Sequence, residues 1–276
     1  MKTAVTIAGA DAKASAFVVW RGFEESIRKA SEYGYDGVEL ALKEAADVNA
    51  GDLRRWLEKN RIEVSCITTG QVFADSGLYF THPDRDMRRK AIEVFSDLID
   101  LGEEFGGLIN VGRARGFVAE GQKKEEAEKL FVEVMQRLGE RAEKRRVQLV
   151  IEPVNRYEIN FINNLDEGSA ILKKVQMANC GLHADVFHMN IEDDNIGASL
   201  IRNGSLVRYV HFADSNRLAP GFGHLDFDDI LDALGKIHYD GWVSMEMLPG
   251  TNPDEMAEKA IRFIRPKIEK YNRKKV

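Results

Sequence analysis

From one end to the other, the sequence alternates short β-forming apolar runs with longer stretches whose apolar residues recur every three or four positions. Eight runs stand out, at 3–8, 37–41, 64–68, 107–111, 148–152, 181–185, 209–213 and 243–247. Between them, Phe23/Ile27/Ala30, Leu130/Val134/Leu138/Ala142 and Ile230/Leu234/Ile237 each lay one apolar stripe along a helix. Eight strand–helix units in 276 residues come to about 34 residues each, the spacing of a (β/α)8 TIM barrel. A doubly wound sheet is the other fold that alternates in this way. It would place Gly-x-Gly-x-x-Gly after the first strand, where this chain reads Gly9-Ala10-Asp11-Ala12. No Pro/Ser-rich linker or shift in composition divides the chain, so 1–276 reads as a single domain.

The connections are unequal. Segments after strands are long (69–83, 153–165, 186–196 and 214–225), and segments before strands are tight (31–36 and 237–240). In a barrel the long ones gather at the C-terminal ends of the strands, where this fold builds its active sites. A weak repeat supports the alternation. Tyr35-Asp36-Gly37-Val38 and Tyr239-Asp240-Gly241-Trp242-Val243 each lead a helix end into a strand, and those strands run to Glu39 and Glu246. Gly34 suits the left-handed position just past a helix. Asp226, with Asp229 three residues on, reads as a helix N-cap.

With 44% apolar and 30% charged residues, the chain has the balance of a soluble protein with a sizeable core. Lys and Arg number 39 against 45 Asp and Glu, and the net charge of −6 argues against a nucleic-acid partner, which calls for a basic face. The basic terminus Asn272-Arg273-Lys274-Lys275 reads as solvated chain. Cys66 and Cys180 sit in apolar runs and form no disulfide framework, which points to a reducing, cytoplasmic setting. Asp11 and Lys13 interrupt the apolar stretch after Lys2, and no run approaches the ~18 apolar residues of a membrane span.

Four metal-capable side chains fall at the ends of the last four strand runs: Glu152, Asp185, His211 and Glu246. Their separations of 33, 26 and 35 residues are close to one strand–helix unit each. Strand ends of a barrel converge on its axis, so the four can surround one point. A single carboxylate there reads equally well as a helix cap, but four in consecutive units do not. Three carboxylates with one imidazole form a hard donor set that favours Mn²⁺, Co²⁺ or Mg²⁺, with Zn²⁺ open because its affinity is high wherever it is available.

Beyond the ligand spacing, five motifs make the chain resemble, over nearly its whole length, the xylose-isomerase-like barrels and among them the ketose 3-epimerases of tagatose/psicose type and their keto-sugar-acid relatives. The motifs are Ile151-Glu152-Pro153-Val154-Asn155-Arg156-Tyr157-Glu158, Ala184-Asp185-Val186-Phe187-His188-Met189-Asn190, His211-Phe212-Ala213-Asp214-Ser215-Asn216-Arg217, Gly221-Phe222-Gly223-His224-Leu225-Asp226-Phe227 and Ser244-Met245-Glu246. The resemblance implies that Glu152, Asp185, His211 and Glu246 bind one divalent ion. It also implies that Glu158, His188 and Arg217 hold the carbonyl end of a sugar, and that the chain assembles as a homodimer or homotetramer. Epimerising carbon 3 of a 2-ketose means removing a proton next to the carbonyl and returning it on the other face. Two carboxylates flanking that carbon can exchange the roles of base and acid, and Glu152 and Glu246 are the expected pair.

In such families an aromatic residue after the fourth strand often meets the far end of a neutral sugar. This chain has Gly112-Arg113-Ala114-Arg115-Gly116 there. The loop reads either as solvated or as presenting Arg113 or Arg115 to a substrate carboxylate or phosphate, with Arg115 the expected contact. Residues 66–71 are expected to form another wall, with Cys66 a small apolar contact rather than a nucleophile. His183, two residues before Asp185, lines or supports the site. His224 is structural or part of a lid, and His82 and His238 lie outside the chemistry. Two other readings stand beside the epimerase: an aldose–ketose isomerase on the same site, by the same kind of enediol chemistry, and a metal-stabilised sugar-binding protein without turnover. Nuclease-type repair on this fold would need more histidines and a basic groove.

Overall fold

The computed structural model describes residues 1–13 and 17–273, so Lys274 and Lys275 of the basic terminus lie outside the described residues. The strands are β1 (Lys2–Ala8), β2 (Trp20–Arg21), β3 (Gly37–Ala41), β4 (Glu63–Thr68), β5 (Leu108–Val111), β6 (Gln148–Ile151), β7 (Cys180–Asp185), β8 (Val207–Phe212) and β9 (Trp242–Met245). Omitting β2, they pair in chain order, all parallel, and β9 pairs back onto β1 through Lys2↔Trp242 to Val5↔Met245. That last pairing closes an eight-stranded barrel and excludes the open doubly wound sheet. The molecule is a single (β/α)8 TIM barrel domain. The two residues of β2 carry no periodic signal. They pair with Ile7 and Ala8, the part of β1 that extends beyond the end of β9.

Alternation along each strand separates two cores. Val5, Ile7, Val38, Leu40, Ile109, Val111, Leu149, Ile151, Leu182, Ala184, Val210, Phe212, Val243 and Met245 face the helices and belong to one continuous apolar layer. Burying each large aliphatic side chain there contributes roughly 1.5–3 kcal/mol. The barrel interior is different. Cys66, Val150 and Tyr209 form a small apolar plug. Around it Thr6, Glu39, Asn110, His183, His211 and Ser244 are all fully buried. Polar groups survive at that depth only because they bond one another.

Two register shifts set the inward faces. Val38 pairs with Val64 but Glu39 with Cys66, and Leu182 pairs with Val207 but His183 with Tyr209, so Ser65 and Arg208 are the extra residues of two bulges. A one-residue shift turns a strand over. Val207 therefore packs in the outer layer while Tyr209 and His211, in even step with it, sit inside the barrel. Without the bulge at Arg208, His211 would face the helices.

The segments after the strands are long as expected, but not all are loops. The helices are α1 (Phe23–Tyr33), α2 (Ala50–Asn60), α3 (Gly70–Ser76), α4 (Arg85–Glu104), α5 (Lys124–Lys144), α6 (Leu165–Val175), α7 (Val186–Glu192), α8 (Ile196–Asn203), α9 (Phe227–Lys236) and α10 (Pro253–Arg273); α3 occupies much of 69–83 and α7 most of 186–196. Gly34 adopts the left-handed conformation (φ 87°) beyond α1 (Phe23–Tyr33). Asp226 caps α9 (Phe227–Lys236), accepting from the backbone N–H groups of Asp228 and Asp229. Cys66 and Cys180 are buried free thiols. Among the described residues, no helix is long and apolar enough to cross a membrane.

Candidate metal centre and substrate cavity

The strand ends bring Glu152, Asp185, His211 and Glu246 together: one donor atom of each lies within 4.8 Å of the others. Their arrangement centres on the His211 imidazole. Its Nε2 donates to the Glu39 carboxylate, at 2.8 and 2.9 Å from the two oxygens. That bond places the proton on Nε2 and turns Nδ1 toward Asp185 Oδ2 at 3.4 Å, Glu246 Oε2 at 3.5 Å and Glu152 Oε1 at 3.6 Å. Nδ1 is buried and has no hydrogen-bond partner. A lone pair facing three carboxylate oxygens calls for a cation. Donors ~2.1 Å from one ion stand about 3–3.5 Å apart, close to the distances from Nδ1 to the three carboxylate oxygens. Burial alone would lower the pKa of His211, yet Glu39 behind the ring and Asp185 and Glu152 before it raise it well above the usual value. The spot favours added positive charge, and a metal would take the place of that proton.

Each carboxylate is held by a neighbour. Asp185 is also the N-cap of α7: Oδ1 accepts from Phe187 N (2.8 Å) and His188 N (3.4 Å), which leaves Oδ2 for the centre. Oδ2 accepts from Arg217 Nη1 at 2.7 Å, and Arg217 Nη2 reaches Glu246 Oε2. Burial would raise the Asp185 carboxyl, but the Arg217 guanidinium and the neighbouring histidines hold it well below the usual carboxylate range. Arg217 does not pair with the Asp214 side chain, which instead accepts from the backbone of Ser215, Gly221 and Leu225. Its own backbone is left-handed (φ 62°), a strained conformation for a residue with a side chain, and is pinned by Arg217 N to Asp214 O and Leu248 N to Arg217 O, both 2.8 Å. Glu152 Oε2 accepts from Asn110 Nδ2 at 2.9 Å. A Cβ at Gly112 would lie 2.9 Å from that same carboxylate oxygen, so only glycine leaves room for it.

A cleft opens over the centre, with Glu152, Glu246, Arg217, His188, Glu158 and Arg113 on its polar side and Phe17, Val18, Ala41 and Val154 among its apolar lining. His188 Nδ1 is 2.8 Å from Asn155 Nδ2. The Asn155 oxygen already accepts from Tyr157 N at 3.0 Å, so its amide nitrogen is the donor and the His188 proton sits on Nε2, toward the cleft. Burial lowers the His188 pKa, favouring the neutral ring. The same Asn155 nitrogen bonds Glu158 Oε1 at 3.1 Å.

Two expected substrate contacts need correction. Arg115 is fully buried, and its guanidinium donates to the backbone carbonyls of Phe161, Gly112, Glu152 and Ile162 at 2.8–3.0 Å. It clamps the loops together, and the cleft meets Arg113 instead. Residues 113–115 form one 3₁₀ turn, on which residues two apart stand about 240° around the axis and so face different sides. Cys66 is likewise fully buried, packed in the barrel plug below the centre. The wall expected at 66–71 is made by Thr68, Gly70 and Gln71. Burial raises the Cys66 thiol well above its usual pKa, so it stays protonated.

His183 supports the centre from below. Its Nδ1 is 2.7 Å from Asn110 Nδ2, its ring stacks edge-on against His211 at 3.9 Å, and burial pushes its pKa down to about 4. His224 binds Ser215 Oγ through Nδ1 (2.9 Å) and ties its loop together. His82 accepts from Asp84 N at 3.0 Å. His238 occupies the left-handed turn (φ 55°) after α9. Neither His82 nor His238 lines the cleft.

Glu39, Asn110 and Asn155 were not legible as site residues. Glu39 is mid-strand, a layer below the strand ends, and only its place in the Tyr-Asp-Gly repeat marked it out. A buried carboxylate in an apolar strand needs a partner, and that rule could have drawn it to a histidine. Replacing it by glutamine (Glu39→Gln) is expected to weaken divalent-metal affinity about 10- to 100-fold. A chelator-competition titration with Mn²⁺, alongside a thermal melt, measures this. Unchanged affinity would reduce Glu39 to packing.

Known proteins share the fold and part of the sequence. The chain is 27% identical over 265 residues to the L-ribulose 3-epimerase of Methylomonas sp. (strain DH-1), covering 88% of this chain and 91% of that protein. It is 31% identical over 229 residues to the D-psicose 3-epimerase of Ruminiclostridium cellulolyticum, covering 80% and 76% of the two. The crystal structure of the D-allulose 3-epimerase from Methylomonas sp. in complex with D-allulose superposes with a TM-score of 0.82 at 25% identity, over 97% of each chain. These relatives are sugar epimerases, isomerases that act on carbohydrates. Residues 27–267 match the model of the xylose isomerase-like TIM barrel family, and the chain belongs to that family.

Proposed function

We propose that the protein is a divalent-metal-dependent epimerase that inverts carbon 3 of a ketose or keto-sugar acid through a cis-enediolate, with Glu152 and Glu246 as the acid/base pair. One observation carries the reading. The two glutamates line the same cleft from strand ends that flank those of Asp185 and His211, so a carbon held between them is reachable from both faces. A divalent ion held by Glu152, Asp185, His211 and Glu246, with Mn²⁺ the proposed ion and Co²⁺ or Mg²⁺ the alternatives, would polarise the carbonyl and stabilise the enediolate charge. The side chains supply the rest. One glutamate takes the carbon-3 proton, and the other, protonated, returns one on the opposite face. The pair then re-equilibrates by proton exchange with water. His188 Nε2–H and Arg217 donate to substrate oxygens, and Glu158 accepts from a hydroxyl. The apolar lining at Phe17, Val18 and Ala41 limits the water around the reacting carbon.

Removing a carbon-1 proton at the same site would instead give the 1,2-enediolate of an aldose–ketose isomerase; the epimerase relatives favour carbon 3. Incubating the Mn²⁺-loaded protein with ketoses and keto-acids in D₂O, followed by NMR, separates the readings. Deuterium at carbon 3 with inverted configuration is expected. Label at carbon 1 with aldose formation would replace the epimerase by the isomerase, and absence of exchange across the panel would leave a sugar-binding protein. Sedimentation should give a homodimer or homotetramer; a monomer at micromolar concentration would remove that part of the proposal.

A further inference from the structure

The cleft contains two guanidinium groups in different states. Arg217 is committed: it donates to Asp185 and to Glu246 and stands over Phe187, 4.7 Å from the ring centre. Arg113 is not. Its guanidinium lies 5.8 Å from the centre of the Phe73 ring and 3.7 Å from Glu158 Oε2, beyond hydrogen-bonding distance, and it makes no side-chain hydrogen bond among the described residues. It remains partly exposed, with 24% of its side chain accessible. An ion pair this open and this long contributes little, so Glu158 is easily exchanged for a better partner. Glu158 also has another donor in Asn155.

The turn that presents Arg113 is built to hold it still. Arg115, two residues on, fastens the turn from behind through its four carbonyl bonds. Gly116 has φ 95°, and a Cβ there would lie 2.1 Å from Thr81 Oγ1, so the chain can take this path only with glycine. A fixed backbone carrying a guanidinium whose donors are unspent, on the wall of a cleft, is suited to a planar or tetrahedral oxyanion.

Resting on the reading of this cleft as a sugar site, we propose that Arg113 selects sugars bearing an anionic group, a carboxylate or a phosphate, which it binds with its guanidinium fork in place of Glu158. The substrate class is then keto-sugar acids or ketose phosphates rather than free ketoses. A pathway step consistent with this chemistry is one that oxidises or phosphorylates a sugar before it reaches the enzyme.

The test compares D-fructose, 5-keto-D-gluconate and D-fructose 6-phosphate in the D₂O exchange assay on the Mn²⁺-loaded wild type, Arg113→Ala and Arg113→Lys. Calorimetric binding of the same three compounds is measured in parallel. An anionic probe is expected to exceed the neutral one in kcat/KM by about tenfold or more, and Arg113→Ala should cut that ratio about 10- to 100-fold, mainly through KM. Arg113→Lys, which keeps the charge and loses the fork, should retain part of it. Whether 5-keto-D-gluconate or D-fructose 6-phosphate is preferred identifies the anion as carboxylate or phosphate. A neutral preference in the wild type, or equal losses on both classes in Arg113→Ala, would overturn the proposal while leaving an epimerase in place. If no probe exchanges, the epimerase reading fails for this panel and calorimetry decides: anion binding lost in Arg113→Ala upholds Arg113, and no anion binding in the wild type overturns it.

Discussion

Glu246→Gln is expected to lower carbon-3 exchange about 10³-fold or more while the barrel stays folded. An amide of the same shape can neither take nor return a proton, and acid/base loss alone is worth about 10² to 10⁴ in rate. Glu246 also faces His211 Nδ1 and holds Arg217, so the variant should bind metal more weakly too. Metal analysis of the variant at saturating Mn²⁺ separates the two effects. If metal is fully loaded and exchange is still lost, the proton role is isolated. Full activity in a metal-loaded Glu246→Gln protein would remove Glu246 from the acid/base pair.

The largest effect on stability is expected at Arg115. Arg115→Met keeps most of the volume but leaves the carbonyls of Phe161 and Glu152 without a donor, while those of Gly112 and Ile162 keep only the backbone N–H groups of Arg115 and Val154, and a loss of about 3–5 kcal/mol follows from unpaired buried groups of this kind. For a domain of this size that is roughly a 6–20 °C fall in Tm, with calorimetry at fixed metal concentration as the measurement. Arg115→Lys should rescue little, because an ammonium has three donors in no fork. Burial lowers the pKa of Arg115 only to about 10, so the native side chain remains charged at neutral pH. One of its acceptors is the carbonyl of Glu152, so metal affinity should fall along with stability. A Tm within about 2 °C of wild type would show that water replaces the lost donors.

How much of this was legible without coordinates follows from the physics of each feature. The barrel was, because eight apolar runs at an even spacing leave one closed parallel architecture, and its strands matched within a few residues. The convergence of Glu152, Asp185, His211 and Glu246 was, because the barrel axis brings together whatever stands at consecutive strand ends. The two arginines of 113–115 were not separable. They are the same residue type two positions apart on a short turn, and only the turn's path sends one inward to the carbonyls of Phe161 and Ile162 and the other to the cleft. Glu39 was visible in the repeat but had no role until its distance to His211 was known.

By itself the sequence determined the fold, the face on which function sits and the four donor groups, because periodicity and spacing are properties of a chain in order. Tertiary structure alone decided which nitrogen of His211 meets the carboxylates, which arginine is committed and which is available, and which face of β8 looks inward after the bulge at Arg208. Those depend on hydrogen bonds and register between segments far apart in the chain, where a shift of one residue reverses a strand and a single backbone carbonyl can bind a guanidinium.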